Sequence, residues 1–80
     1  MKRKNLTGER IRRLRLSKRP RISQTALAHC ASRFGAPLNQ DTISLIEHGL
    51  RSVSDIELVA IARCLGVTAA DLLGEPRRLP

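Results

Sequence analysis

The chain has 80 residues and a single aromatic residue, Phe34, so it can form one domain with a small aliphatic core, and it lacks the alternating β-branched and aromatic residues of a strand-rich fold. Its net charge of +8 is concentrated in residues 1–21, which contain ten Lys or Arg and one acid, whereas residues 22–80 are nearly neutral. A basic end on a neutral body indicates a polyanionic partner, nucleic acid before an anionic membrane, although a basic surface can also serve only to keep a protein soluble.

One local pattern recurs five times along the chain: an apolar residue, a capping residue, three further residues and a second apolar residue. Each copy is typical of a helix start with a hydrophobic staple. The five copies are Leu6-Thr7…Ile11, Ile22-Ser23…Leu27, Leu38-Asn39…Ile43, Val53-Ser54…Leu58 and Val67-Thr68…Leu72. An acid three residues after Ser54 and after Thr68 also completes a capping box in two of them.

These signals predict an all-α fold, a compact bundle of five short helices. The predicted helices cover residues 8–18, 24–34, the stretch between the N-cap Asn39 and Gly49, 55–65 and 69–73. In the first helix Arg15 shares the inward side with Ile11, so it needs an acidic partner. In the second, Phe34 is expected on the inward face, and the fourth is apolar nearly all round, which predicts the buried centre of the bundle. We expect a basic arm over residues 1–6, a domain over 7–74 and a flexible tail over 75–80.

Several function classes are not expected. The basic start is not followed by an apolar stretch of about 7–15 residues or by an apolar span of about 20 residues, so we expect neither export nor membrane insertion. We therefore expect a cytoplasmic location. Cys30 and Cys64 are expected as reduced, small hydrophobic residues, with a disulfide as the less favoured alternative. Metal-ligand spacings are missing, so no zinc and no cofactor are expected. With no phosphate loop, catalytic triad or paired carboxylates, an enzyme is not expected.

Several short motifs occur along the chain, and their order and spacing together are specific for one protein family. They are Gly8-Glu9-Arg10-Ile11-Arg12-Arg13-Leu14-Arg15, Ser23-Gln24 with Leu27-Ala28, Thr42-Ile43-Ser44 with Ile46-Glu47-His48-Gly49, Asp55-Ile56-Glu57-Leu58, Ala60-Ile61-Ala62, Leu65-Gly66-Val67 and Asp71-Leu72-Leu73. Over residues 7–74 the chain resembles the Cro and lambda-repressor type of helix-turn-helix domain, the XRE-type family of bacterial and phage regulators.

The resemblance implies that the third helix lies in the DNA major groove, where base edges present a distinguishable pattern of donors and acceptors. Carried over by position, the base-reading residues are Asn39, Gln40, Asp41, Ser44 and Leu45. Gln40 is the best specific reader, because its amide can pair bidentately with adenine, and Leu45 can contact a thymine methyl. Asp41 either accepts from a cytosine amino group or only complements the helix dipole, and both interpretations stay open.

The same resemblance implies contacts with the DNA backbone and a structural ion pair. The positions for phosphate contacts are Arg21, Gln24, His48 and Arg51. Arg15 and Glu47 match a pair that bridges the first and third helices in the family, which would supply the acid that Arg15 needs. Two departures concern docking: the span between Ala28 and Ile43 is about five residues longer than usual, and the loop over residues 19–21 is about two residues longer.

The sequence therefore predicts a small transcriptional regulator, a repressor that binds double-stranded DNA as a homodimer on an inverted repeat. The fifth helix and the tail are the expected dimer contact. The alternative is an antitoxin-like or other protein-interaction module on the same fold. Exposure of apolar residues such as Leu50, Leu73 and Leu79 would favour the alternative. A basic first helix that lies beside the third helix would favour DNA binding.

Overall fold

The computed structural model describes residues 4–74, which form five α-helices and no strand. They are α1 (Gly8–Ser17), α2 (Gln24–Arg33), α3 (Gln40–Glu47), α4 (Asp55–Leu65) and α5 (Ala69–Leu73). The predicted all-helical fold is confirmed, although α1 and α2 each end one residue earlier than predicted. Each helix in this part of the chain is too short or too polar to span a bilayer. The predicted flexible tail over 75–80 lies outside the described residues, as do the first three residues of the basic arm.

Local capping explains where four of the helices begin. The side chains of Ser23, Asn39, Ser54 and Thr68 each accept a hydrogen bond from a backbone N–H in the first turn of the following helix. Both predicted capping boxes form, and Thr42 completes a third with Asn39. These bonds satisfy donors that a helix start would otherwise leave free, so the helix starts follow from short stretches of sequence.

The start of α1 is different, because its predicted cap, Thr7, makes no capping bond and its buried hydroxyl has no hydrogen-bond partner among residues 4–74. Asn5 caps the helix instead: its Oδ1 accepts from the N–H groups of Thr7 at 3.1 Å and Gly8 at 2.7 Å. The Asn5 Nδ2 donates to the carbonyls of Ile46 at 3.0 Å and Arg51 at 2.7 Å. One side chain therefore caps α1 and fastens the end of the predicted arm to the end of α3.

The core is aliphatic, as the composition requires. Helix α2 packs against α3 and α4, α1 packs mainly against α3 and less against α4, and α5 packs against α4. The largest fully buried side chains are Ile11, Leu27, Ile43, Ile46, Ile61, Leu65 and Leu72. Each of the five helices contributes to this set, and the loops between them do not. The bundle therefore holds together through one continuous apolar interior.

The lengthened connection between α2 and α3 is a packed loop, and α2 is not extended. It covers residues 34–39, and Gly35 adopts the left-handed conformation that glycine favours, with a φ of 91°. Ala36 and Leu38 are buried, and the N–H of Ala36 donates to the carbonyl of Ala31 at 3.0 Å. The added residues are therefore fixed against α2.

The expectation that α4 is the buried centre of the bundle is wrong for one of its faces. Ala60, Ile61 and Leu65 are buried, but Ile56 is 62% exposed and Val59 is 44% exposed. Phe34, expected on the inward face of the second helix, is 47% exposed because α2 ends before it. The other described helices cover only one side of α4, so these apolar side chains face outward.

The expectation of reduced cysteines is also wrong, because Cys30 and Cys64 form a disulfide between α2 and α4. Their Cα atoms are 5.9 Å apart, and both residues are half-buried. The cysteines are separated by 34 positions, and only the packing of α2 on α4 brings them together. Helical periodicity in a sequence does not show which faces of two helices meet, so this pair could not be assigned before the fold.

Reduction of the disulfide is expected to lower the free energy of unfolding by about 2–4 kcal/mol, because the bond limits the freedom of the unfolded chain. Urea unfolding with and without a dithiol reductant measures the difference. A Cys30→Ser/Cys64→Ser variant is the control, and its unfolding should not respond to the reductant. Detection of both cysteines as free thiols in unreduced, denatured protein would contradict the assignment.

Candidate nucleic-acid interface

A buried ion pair joins α1 to α3. The Arg15 Nε lies 2.7 Å from Oε2 of Glu47, and its Nη2 lies 2.9 Å from Oε1, so the guanidinium binds both carboxylate oxygens. Both residues are buried, and Arg15 Nη1 also donates to the carbonyl of Ile22 at 3.0 Å. A bidentate, charge-assisted pair fixes direction as well as distance. Arg15 thus holds α1, α3 and the segment before α2 in one arrangement.

Hydrogen bonds continue from this ion pair to the exposed start of α3. The Gln24 Nε2 donates to Oε1 of Glu47 at 3.0 Å, and the Gln40 Nε2 donates to Oε1 of Gln24 at 2.6 Å. Gln40 is the first residue of α3 and is exposed. Its amide still has an oxygen and a second N–H, the acceptor and donor that a bidentate contact with an adenine edge needs. The chain of bonds therefore orients Gln40 while leaving it able to bind.

The other predicted base-reading residues lie along α3 in different environments. Asn39 uses its Oδ1 to cap the helix, accepting from the N–H of Thr42 at 2.9 Å. Asp41 and Leu45 are exposed, whereas Ser44 is half-buried. Asp41 makes no ion pair with residues 4–74 and lies in the first turn of α3. Its two interpretations, base contact and dipole complement, both remain compatible with this position.

The predicted phosphate contacts do not form one group. The Arg21 side chain is exposed and makes no hydrogen bond with residues 4–74, and Gln24 belongs to the network described above. The His48 Nδ1 bonds to the carbonyl of Ser44 at 2.8 Å, just after α3 ends. Of this set, Arg21 and His48 keep the most freedom to meet an anion.

Arg51 has a structural role that the sequence did not reveal. Its two terminal nitrogens donate to Glu57 at 2.9 and 2.8 Å. This hydrogen bonding lowers the pKa of the Glu57 carboxyl from 4.5 to about 2, helped by the N–H of Ser54 and opposed by partial burial. The sequence predicted Glu57 only as a capping residue. Its contact with Arg51 depends on the conformation of the loop before α4, which residue spacing does not predict. Much of the positive charge of Arg51 is therefore already neutralised.

The basic residues of α1 are divided between two sides of the helix. Arg15 points to α3, but Arg10 and Arg13 line a groove between α1 and α5. A Cβ on Gly74 would lie 2.6 Å from the guanidinium of Arg10, so Arg10 lies at the C-terminal end of α5, where a cation is favourable. The basic surface of α1 therefore does not lie wholly beside α3.

A third helix held against α1 by a buried ion pair, and against α2 by packing and a hydrogen bond, is the arrangement of a small helix-turn-helix domain. No protein-family model matches the chain, and no solved structure matches it. Among curated proteins, it is 41% identical over 68 residues to the control protein C.BamHI of Bacillus amyloliquefaciens, which covers 85% of this chain and 76% of that protein. The chain belongs to the family of this control protein.

Replacement of Glu47 by Gln is expected to lower the free energy of unfolding by about 3–5 kcal/mol, because it leaves the Arg15 guanidinium buried without a carboxylate. Glu9→Gln, a matched change at an exposed acid of α1, should change it by less than about 0.5 kcal/mol. Urea unfolding measures both variants. Equal stabilities for the two would show that the ion pair is not a significant constraint.

The lowered pKa of Glu57 predicts a dependence of stability on pH. A carboxyl with a lower pKa in the folded state stabilises the fold above pH 4.5 and loses that contribution as the pH falls towards about 2. Unfolding measured by circular dichroism from pH 6 to about 2.5 should therefore show a smaller acid-induced loss in Glu57→Gln than in the unchanged protein. The same loss in both proteins would mean that the Arg51 contact does not persist in solution.

Proposed function

We propose that this protein is a sequence-specific double-stranded DNA-binding regulator of the Cro and lambda-repressor type, with α3 in the major groove. The observation that carries the proposal is the hydrogen-bonded chain from Arg15 through Glu47 and Gln24 to the exposed amide of Gln40. Such support benefits a base reader, because a side chain that is already oriented loses less rotational freedom on binding. We propose binding and not catalysis as its activity. We propose the cytoplasm as its location, where the Cys30–Cys64 disulfide would be exposed to cellular reductants.

The packed loop between α2 and α3 supports the same proposal. A longer turn weakens the case for DNA docking only if it lets α3 move relative to α2. Here Ala36 and Leu38 are buried, and Gln24 and Gln40 bond across the two helices. The pair of helices can therefore approach DNA as one rigid unit, with the first turn of α2 facing a phosphate.

We further propose that the protein is a repressor and that it binds an inverted repeat as a homodimer. A single recognition helix reads only a few base pairs, so two copies related by two-fold symmetry are needed for specificity. A homodimer would place two copies of α3 on equivalent half-sites. A relative that is named as a control protein supports a regulatory role.

A protein-interaction module, antitoxin-like or otherwise, is the second candidate. Leu50 is 49% exposed and Leu73 is 37% exposed, as this alternative requires, while Leu79 lies outside the described residues. Leu50 lies in the loop after α3, and Leu73 is the last residue of α5, so neither identifies a groove for a foreign helix. DNA binding is favoured because the exposed amide of Gln40 keeps a donor and an acceptor that suit an adenine edge, and because the relative is named as a control protein.

The test starts from a duplex selected by this protein out of a randomised library. Fluorescence anisotropy at several salt concentrations then compares that duplex with a scrambled one. We expect the selected duplex to bind at least about 10³-fold more tightly, and Gln40→Ala to remove about 1–3 kcal/mol of this preference. Gln24→Ala should remove part of it, because the Gln40 amide loses its partner.

His29→Ala, a change at an exposed residue of α2 outside this network, is the control and should keep the full preference. Equal binding of the two duplexes with a steep salt dependence would reduce the contact to phosphate neutralisation. That result would reject specific DNA binding and favour the protein-interaction module. Repression of a reporter that carries the selected site tests the direction of regulation.

A further inference from the structure

An apolar groove with charged ends lies on the exposed side of α4. Phe34, Ile56 and Val59 form its apolar lining, and Asp55 and Arg63 complete it, enclosing about 410 Å³. Ile56 and Val59 are 62% and 44% exposed, although residues of this kind are usually buried. The groove shares no residue with the network that orients Gln40, so the DNA-reading role of α3 does not account for it.

The charges are arranged symmetrically about the middle of this face. Asp55 lies four positions before Val59 and Arg63 four positions after it, so all three share one face of α4. With a rise of about 1.5 Å per residue, each charge lies about 6 Å along the axis from Val59. Neither charge forms an ion pair with another of residues 4–74.

This arrangement is complementary to itself. If two α4 helices meet in antiparallel orientation on a two-fold axis through Val59, Asp55 of each copy faces Arg63 of the other. The apolar side chains of both copies then cover each other. In parallel orientation, Asp55 would face Asp55 and Arg63 would face Arg63, and like charges oppose such a contact.

We propose that the occupant of this groove is a second copy of the chain, bound through antiparallel α4 helices with two Asp55–Arg63 ion pairs between the copies. The inference rests on the homodimer of the proposed function and names the surface that forms it. It replaces the fifth helix and tail as the expected contact. In α5, Leu72 is fully buried and Leu73 is only 37% exposed.

Other contacts hold the groove in a fixed shape before a partner binds. The Arg63 guanidinium lies over the ring of Phe34, with its Cζ 5.8 Å from the ring centroid. The disulfide joins Cys30, one turn before Phe34, to Cys64, the neighbour of Arg63. These two contacts fix the end of α2 against α4, so the groove requires little reordering when a second copy binds.

The test exchanges the charges and mixes the variants. In Asp55→Arg, and separately in Arg63→Glu, both charge contacts of the antiparallel homodimer become repulsive. In a mixture of the two variants, every contact between unlike chains is attractive. Sedimentation equilibrium should therefore show each variant alone to self-associate at least about tenfold more weakly than the unchanged protein. The mixture should recover an affinity within about threefold of the unchanged protein.

Two further variants separate the groove from α5. Val59→Lys places like charges on the two-fold axis and should abolish the dimer, whereas Leu73→Lys, a matched change on α5, should leave it intact. Circular dichroism should show the native helix content in all four variants, since each changed side chain is at least partly exposed. A folded variant that has lost only self-association supports the inference.

The outcomes distinguish this inference from the proposed function. Three results would each overturn the α4 surface. They are a monomeric unchanged protein, a dimer that persists in Val59→Lys, and a mixture of the two charge variants that does not recover self-association. Specific binding of the selected duplex could still hold in those cases. Conversely, a dimer that follows the charge pattern while binding all duplexes equally would support the α4 surface and reject the reading of DNA sequence by α3.

Discussion

The buried pair between Arg15 and Glu47 is the contact on which the arrangement of α3 depends. A buried ion pair adds little net stability, because removing both charges from water costs about as much as their attraction returns. Its effect here is on orientation: the guanidinium holds both oxygens of the carboxylate, and one of those oxygens also receives Gln24. Gln24 in turn holds Gln40. The direction of an exposed amide on α3 is thus set by a charge on α1.

The parts of the fold that could be predicted from the sequence are those decided within one turn of chain. Ser54 with Glu57 and Thr68 with Asp71 cap their helices through bonds between residues three apart, so the spacing alone locates both starts. The α1 start after Thr7 was located correctly, but its capping side chain was not, because Asn5 caps the helix and is itself held by the carbonyls of distant residues. At the site, the inward position of Arg15 predicted an acidic partner, and the family resemblance identified that partner as Glu47. The bond between Gln24 and Gln40 depends on how α2 meets α3, which no local pattern contains.

The apolar character of α4 shows a different limit. A helix that is apolar nearly all round is compatible with the centre of a bundle and with a helix covered on one side by its own chain and on the other by a second copy. Which of the two applies depends on how many other helices can cover the apolar helix, and a small domain has too few to surround one helix completely. Within residues 4–74, Ile56 and Val59 are left uncovered. Self-association would complete the burial that the helices of residues 4–74 do not provide.

The position of α2 connects the two proposed surfaces. It packs against α3 on one side and against α4 on the other, and the disulfide fixes its contact with α4. In the proposed dimer, the path from one copy of α3 to the other passes through α2, across the two α4 helices and through the second α2. The contacts of α2 with α3 and α4 are held by packing, a hydrogen bond and the disulfide, so the separation of the two α3 helices would be set by this packing together with the proposed contact between the α4 helices. Half-site spacing on DNA would then depend on α2, although its Gln24 is expected to contact phosphate and not a base.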